Sequence, residues 1–213
     1  MTETLNEEST SAASLVWAPR WEMLNDLTSV AACIDTTGYR PLLAGVHLYR
    51  DGADIVAEAT DSFTLAIARV TVGGNWEGDV VIPAKWLRDF LKSTKPRAKQ
   101  MRVDVLVSVK GDTISLKSGD KMAETRIIAG TYPSVSHLIP AESNRASELG
   151  AFNAEFLAKM ANVLPQAKPY TTWVCKSMAR DRVSLWEATK HGGSGEHAYS
   201  VRGQFLIMPV RIS

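Results

Sequence analysis

The feature that most constrains the fold is a short pattern that occurs three times along the chain. Each copy has a bulky apolar residue, then Pro or Asn one or two positions later, and a further apolar residue four positions beyond. The copies run from Pro19 to Met23, from Pro83 to Leu87 and from Asn153 to Leu157. Pro fits the first turn of a helix and Asn is a preferred N-cap, so each copy predicts a helix start. The starts lie 83 − 19 = 64 and 153 − 83 = 70 residues apart, which indicates a repeated unit.

The stretches between the helix starts predict β-strands. Short β-prone runs are bounded by turn pairs such as Asp51-Gly52 and Gly111-Asp112, which are typical of hairpins. The predicted strands cover residues 43–50, 55–59, 64–72, 103–110, 113–118, 122–129, 172–178, 183–188 and 199–212. Helices and strands together predict an α+β fold of three consecutive β-α-β-β-β units, each a helix backed by a small antiparallel sheet.

The units predict a domain organisation. Two units form a predicted domain over residues 14–141, residues 142–147 form a linker, and residues 148–213 hold the third unit. Residues 1–13 are polar and acidic and predict a disordered tail without the apolar region of a signal peptide. No apolar run approaches the roughly 20 residues that span a bilayer, so we expect a cytoplasmic protein without membrane contact.

Charge and cysteine content narrow the possible functions. The net charge of +1 is too close to zero for a protein that binds nucleic acid through bulk charge, so any DNA contact needs a local basic face. Cys33 and Cys175 lie far apart and match no metal spacing. They are typical of free, buried thiols in a reducing compartment.

Five segments carry a more specific pattern. They are residues 40–46 (RPLLAGV), 59–66 (ATDSFTLA), 81–84 (VIPA), 130–140 (GTYP through LIP) and 208–212 (MPVRI). In composition, order and separation they closely resemble the β sliding clamp of bacterial DNA polymerase III. Residues 14–141 resemble the middle domain of that protein, and residues 148–213 resemble the second half of its last domain. The chain is therefore identified as a shortened member of this family, and its host or phage origin stays open.

The resemblance implies a fold and a function. The DNA-clamp fold has helices lining the inner face of a ring and antiparallel sheets outside. A clamp loader opens such a ring, which then encircles duplex DNA independently of sequence and docks DNA polymerase and other clamp-binding-motif proteins. The implied protein is a processivity factor that is not an enzyme, needs no cofactor and forms a homo-oligomer. The alternative is a clamp-like regulator that closes no ring and sequesters clamp-binding peptides.

The resemblance also assigns a peptide-binding pocket. Its residues are Leu43, Thr60, Ser62, Phe63, Thr64, Leu65, Pro133, His137, Leu138, Leu206, Met208, Pro209, Val210, Arg211 and Ile212. Apolar side chains with an adaptable Met suit a peptide slot. Phe63 and Thr64 replace the His-Arg of the family, which makes the rim more apolar. The alternative for Leu43, Leu65 and Leu206 is that they form ordinary core, as buried aliphatic residues do.

A basic run provides the local positive face that DNA binding needs. Its seven residues are Lys85, Arg88, Lys92, Lys95, Arg97, Lys99 and Arg102. The first three share one face of the second predicted helix. Phosphate contacts hold DNA without reading its sequence, which permits sliding. The alternative is a solvated helix face followed by a charged loop.

The sequence offers no catalytic constellation or metal site. The histidines are His47, His137, His191 and His197, of which the last two flank a Gly-Gly-Ser-Gly loop. Two ligands on such a loop make a poor metal site. The loop also lacks the lysine that follows a phosphate-binding loop.

Three units leave one without a partner, if units pair within domains as in the family. The third unit should then expose an apolar helix face formed by Phe156, Leu157, Met160 and Leu164. We therefore expect a homo-oligomer in which two third units cover each other around a twofold axis.

Overall fold

The computed structural model describes residues 15–72, 76–97, 103–145, 152–164, 172–178, 182–192 and 198–209. The predicted tail at residues 1–13 lies outside these ranges. In the described part of the chain, no helix is long and apolar enough to cross a membrane.

The three predicted helix starts are confirmed. The helices are α1 (Trp21–Leu27), α2 (Ala84–Thr94) and α3 (Ala154–Met160). Pro83 is the N-cap of α2, and the Asn153 side chain caps α3 by accepting the N–H of Glu155 at 2.9 Å. A 3-10 helix at Thr28–Cys33 prolongs α1. Short 3-10 turns also occur at Pro41–Ala44, Ser136–Leu138 and Glu142–Asn144.

The strands form two antiparallel sheets, and nine of them overlap the predicted runs, whereas those at Leu15–Trp17 and Asp79–Pro83 were not predicted. They are β1 (Leu15–Trp17), β2 (Gly45–Asp51), β3 (Asp54–Thr60), β4 (Thr64–Thr71), β5 (Asp79–Pro83), β6 (Leu106–Lys110), β7 (Thr113–Ser118), β8 (Lys121–Arg126), β9 (Val174–Ser177), β10 (Ser184–Gly192) and β11 (Tyr199–Ile207). A four-stranded sheet has the order β1-β6-β7-β8, and a seven-stranded sheet has the order β5-β2-β3-β4-β11-β10-β9.

The seven-stranded sheet contains strands from the first and third units. Strand β11 pairs with β4 in a register that sets Leu206 opposite Leu65 and Val201 opposite Val70. The backbone N–H of Met208 continues this pairing by donating to the carbonyl of Phe63 at 3.0 Å. The first and third units therefore share one hydrogen-bonded sheet. The domain boundaries drawn from the sequence stay a prediction.

One continuous core lies on the helix side of both sheets, here called the inner face. Alternate residues of β3 and β4, such as Ile55 and Val70, point into it, as do Val107 and Leu116 of the four-stranded sheet. This period of two is what a half-buried strand requires. The opposite side of the sheets, the outer face, is partly covered by residues 127–140, here called the connector.

The third unit exposes only part of the apolar face that the unit count predicts. Leu164 is 1% exposed, and Phe156 and Met160 pack against the shared core. Leu157 remains 37% exposed. The reason is a contact within the chain: the backbone N–H of Leu164 donates to Ser29 Oγ at 2.8 Å, so the third unit lies against the first. The predicted full exposure of this face is therefore wrong, and the homo-oligomer itself stays a prediction.

A buried ion pair fastens the third unit to the first. Asp26 of α1 is 3% exposed and accepts hydrogen bonds from Lys190 Nζ at 2.5 Å and from the Tyr199 hydroxyl at 3.0 Å. Burial raises the pKa of Asp26, while Lys190 and Tyr199 oppose that rise. Lys159 of α3 makes a second contact of this kind with Asp61.

This arrangement predicts a large effect of Lys190→Ala. Removing the lysine leaves the Asp26 carboxylate buried without its cation, which should lower the free energy of unfolding by about 3 kcal/mol. Urea denaturation measures this loss.

Two further variants separate that effect from a general loss of charge. The pair Asp26→Asn with Lys190→Met should recover most of the stability, because no buried charge is left uncompensated. Lys176→Ala, at an exposed position of β9, should change it by no more than about 0.5 kcal/mol. Equal losses for Lys190→Ala and Lys176→Ala would contradict the buried-pair interpretation.

Candidate peptide-binding site and basic helix

The turn between β3 and β4 carries five of the predicted pocket residues, and two of them hold the turn. The Thr60 hydroxyl donates to the Thr64 carbonyl at 2.7 Å and accepts the N–H of Ser62 at 3.1 Å. The Asp61 carboxylate accepts the N–H of Thr64 at 2.7 Å. Thr60 and Thr64 are buried, whereas Ser62 is exposed and has a left-handed φ of 78°. Thr60 and Thr64 thus shape the turn that presents Ser62 and Phe63.

Phe63 links this turn to the third unit. Its side chain is 60% exposed and stacks on Phe156 of α3, with ring centroids 5.9 Å apart and planes inclined by 18°. Lys159 Nζ lies 5.8 Å from the Phe156 ring centroid. The aromatic residue at this position therefore has a partner inside the chain and still offers an exposed surface.

Leu65 and Leu206 form an apolar floor on the outer face. They lie opposite each other on β4 and β11, and both are buried. Val135 of the connector packs over them, together with Ile67 and Leu185. Leu43 belongs to a different cluster, with Val81 and Tyr132. The alternative interpretation of these three leucines as core matches their burial.

The exposed members of the predicted pocket form its rim. Besides Ser62 and Phe63 they are Pro133, His137, Leu138 and Met208, while Pro209 is half-buried. Leu138 is 39% exposed and Met208 is 43% exposed. Val210, Arg211 and Ile212 lie outside the described residues, so the assignment of the whole pocket stays a prediction.

Sequence reasoning missed a cluster under the connector. The His47 ring has Nδ1 2.8 Å from a Glu58 oxygen and Nε2 2.8 Å from an Asp79 oxygen. Tyr49 and Tyr132 stack on the ring, each at a centroid distance of 4.6 Å. A signal was present, because the turn at Asp51-Gly52 pairs β2 with β3 and sets His47 opposite Glu58.

Among the concave sites of the described residues are a cavity and a groove on the outer face, and neither coincides with the predicted pocket. A cavity of about 190 Å³ between the connector and the sheet is lined by His47, Glu58, Arg69 and Tyr132, and it includes Pro133 alone from the predicted set. A groove of about 430 Å³ over β9, β10 and β11 is lined by Arg69, Lys176, Glu187 and Arg202 among others.

Helix α2 presents its basic residues to solvent. Lys85, Arg88 and Lys92 are exposed, as are Lys95 and Arg97 beyond the helix end. Lys85 pairs with Asp89 at 2.7 Å, and this contact holds the pKa of Asp89 below its ordinary value. The sequence did not single out Lys121, whose Nζ donates to the Ser93 carbonyl in the last turn of α2. Lys99 and Arg102 lie outside the described residues.

The described residues include no group of three or more His, Cys, Asp or Glu that could hold a metal ion. Cys33 and Cys175 are free thiols. Burial raises the pKa of Cys33 to about 12, so this thiol stays protonated at neutral pH.

The fold and these surfaces together define a sliding-clamp type of protein. The family model for the central domain of the DNA polymerase III beta subunit matches residues 20–134, more than half of the 213-residue chain. The chain therefore belongs to the DNA polymerase III beta subunit family, as the resemblance in its sequence predicts.

Curated relatives agree with this assignment. The beta sliding clamp of Bacillus subtilis is 27% identical over 163 residues, which are 76% of this chain and 42% of that protein. The beta sliding clamp of Synechocystis is 32% identical over 126 residues, covering 54% of this chain and 32% of that protein. The beta sliding clamp homolog GriR of Streptomyces muensis is 29% identical over 119 residues, covering 54% and 31%. The chain thus spans about a third to two fifths of the length of these relatives.

Solved structures confirm the α+β clamp fold. The DNA polymerase sliding clamp of Pseudomonas aeruginosa has a TM-score of 0.70 at 13% identity, covering 99% of this chain and 69% of that chain. DNA polymerase III subunit beta of Borrelia burgdorferi has a TM-score of 0.71 at 10% identity, covering 99% and 67%. At these identities the likeness establishes the fold alone.

Proposed function

We propose that this protein is a cytoplasmic, non-enzymatic sliding clamp that docks short peptides of DNA polymerases and other clamp-binding-motif proteins and holds duplex DNA against its inner face. The observation that carries the proposal is the pairing of β4 with β11. It joins Phe63 and Met208, which lie 208 − 63 = 145 residues apart in the sequence, into one exposed apolar rim.

Peptide docking is supported by the composition of this rim. Phe63 and Met208 are large exposed apolar residues joined by a backbone hydrogen bond, and Leu138 follows Val135, which packs on Leu65 and Leu206. A linear peptide that buries aliphatic or aromatic anchors needs such a surface, with an adaptable Met at its edge.

DNA holding is supported by the position of α2. The helix packs on the inner face through Leu87, Phe90 and Leu91, and it turns Lys85, Arg88 and Lys92 to solvent. A cationic surface without base-reading geometry suits sequence-independent contact with phosphates.

The alternative function is a clamp-like regulator that binds the same peptides but closes no ring. The observation that favours this alternative is the charge of α1, which carries Glu22 in its first turn and no basic residue in its last turn and so differs from the basic α2. Ring closure, service by a clamp loader and self-association separate the two functions.

The first prediction concerns peptide docking. A synthetic peptide carrying the clamp-binding motif of a bacterial replicative polymerase should bind with micromolar affinity, a free energy of about −8 kcal/mol. Met208→Ala should weaken it about tenfold, because an exposed anchor of the rim is lost. Met122→Ala is the matched control, since Met122 is a comparably exposed methionine on the outer face of the four-stranded sheet. Fluorescence anisotropy measures both, and equal affinities for the two variants would remove Met208 from the site.

The second prediction concerns DNA. The double variant Arg88→Ala with Lys92→Ala should make the negative slope of log affinity against log salt shallower by about 2. Each lost phosphate contact removes about 0.9 from its magnitude. Lys110→Ala with Lys117→Ala removes the same charge from the outer face of the four-stranded sheet and should leave the slope unchanged. A common slope in the two double variants would mean that α2 is only a solvated face.

The third prediction concerns the ring. A sliding clamp should be a homo-oligomer by multi-angle light scattering at micromolar concentration, and a loader should leave it on circular DNA but not on the same DNA after linearisation. A monomer that binds the peptide and is never retained on circles would establish the sequestering function instead.

A further inference from the structure

The strongest unexplained feature of the molecule is the imidazole of His47 between two carboxylates. Both ring nitrogens lie 2.8 Å from a carboxylate oxygen, Nδ1 from Glu58 and Nε2 from Asp79. A neutral imidazole has one N–H and one lone pair. In that form one carboxylate would face a lone pair at hydrogen-bond distance, which is repulsive. The geometry therefore favours the imidazolium, which donates from both nitrogens, although the Asp79 side chain is 77% exposed and its contact is screened more by water.

The surroundings favour the same charge state. Burial lowers the pKa of His47, but the hydrogen bonds and charges of Glu58 and Asp79 outweigh burial and leave the pKa above its ordinary value. The Glu58 carboxylate is itself 4% exposed, so water screens this pair little. Arg69, which lines the same cavity, already pairs with Asp51 at 2.7 Å.

Two tyrosines enclose the ring and stay neutral near pH 7. Burial, followed by the charge of Glu58, raises the pKa of Tyr49 to about 12 and also raises that of Tyr132. A cation held against aromatic faces gains from their quadrupoles. Between about pH 6 and about pH 9, His47 is therefore the side chain in this cluster whose ordinary pKa allows titration.

Tyr132 connects this cluster to the candidate peptide site. It belongs to the connector, is buried, and stacks on His47 at 4.6 Å. Pro133 follows it directly, and Val135 lies over the floor formed by Leu65 and Leu206. The connector is thus fixed at two points, the charged ring of His47 and the apolar floor.

We propose that His47, as an imidazolium bridging Glu58 and Asp79, is a positioning residue that holds Tyr132 and thereby the connector wall of the peptide site. This inference rests on the proposed peptide-docking function. It adds a residue that touches no peptide and makes peptide affinity depend on pH.

The sign of the pH dependence follows from the raised pKa. A histidine with a raised pKa in the folded protein contributes its stabilisation fully below its ordinary pKa of about 6.5 and loses it as the pH rises through the raised value. At alkaline pH one of the two bridges breaks, the stack on Tyr132 loses its cation, and the connector wall loosens. Peptide affinity should therefore fall as the pH rises.

The test uses the full chain in a His137→Gln background, because His137 lies on the predicted rim and a second histidine there would complicate the attribution to His47. In that background the polymerase peptide described above should bind about fivefold more weakly at about pH 9 than at about pH 6. Adding His47→Gln should remove the pH dependence. Adding His191→Gln is the matched control and should preserve it, since His191 is exposed on β10 and bonds to Ser200. His47→Phe keeps an aromatic ring between the tyrosines without donors and should behave like His47→Gln.

NMR separates failure of this inference from failure of the proposed function. In the His137→Gln protein, the backbone amide signals of Tyr132, Ser134 and position 137 should shift with the titration of the His47 ring. When His47→Gln is added, these signals should no longer shift with pH. Peptide affinity that stays constant with pH in the His137→Gln protein overturns the inference and leaves peptide docking intact. If the peptide binds neither the His137→Gln protein nor the unsubstituted protein at any pH, the proposed function fails. If it binds only the unsubstituted protein, His137 belongs to the site and the proposed function stands. In either case the amide signals of the connector test the inference by themselves. Shifts that occur at the pH where the His47 ring titrates support it, and their absence overturns it.

Discussion

The structure depends on the antiparallel pairing of β4 with β11. Seven residue pairs, from Thr64 with Ile207 to Val70 with Val201, join strands that are more than 130 residues apart in the sequence. This pairing joins the strands of the two units into the seven-stranded sheet, and it determines which faces of the first and third units pack together. Phe205 and Ile207 enter the common core on one side, and Leu206 completes the floor under the connector on the other. Both the inner core and the outer site are consequences of that one register, since a slip by one residue would exchange the two sets.

The two faces of the sheets carry different chemistry because the strand period is two. The inner face buries aliphatic residues under α1, α2 and α3, so the helices must place their charges on the side away from the core. On α2 those charges are basic apart from Asp89. The outer face is partly covered by the connector, which includes the 3-10 turn Ser136–Leu138 and makes both apolar and charged contacts. Val135 packs on leucines, and Tyr132 stacks on a histidine held by two carboxylates. A surface that is anchored at two such points and otherwise exposed suits a site that binds other proteins.

The third unit packs against the first, so the apolar face that local spacing predicts correctly is less exposed than the sequence predicts. The apolar spacing that marks Phe156, Met160 and Leu164 as a buried face was interpreted properly. The prediction was wrong about what packs against that face, because counting the units left the third unit without a partner in the same chain. In the structure Ser29, Asp26 and Asp61 of the first unit provide hydrogen-bond acceptors for Leu164, Lys190 and Lys159. The predicted self-association therefore loses its original reason, although the membership of the sliding-clamp family stands.

The sequence by itself determined the elements and the family. Helix starts at Pro83 and Asn153 and the hairpin at Asp51-Gly52 depend on interactions within a few residues, and the motif segments carry the family resemblance directly. Only the tertiary structure decided what those elements meet. It buried Thr60, Thr64, Leu65 and Leu206, left Phe63 and Met208 exposed, packed one side of α3 against the first unit, and placed His47 between Glu58 and Asp79. Local periodicity predicts which side of a strand is apolar, but it does not predict which distant strand pairs with it. That choice is made by the packing of the whole chain, and every contact between the first and third units follows from it.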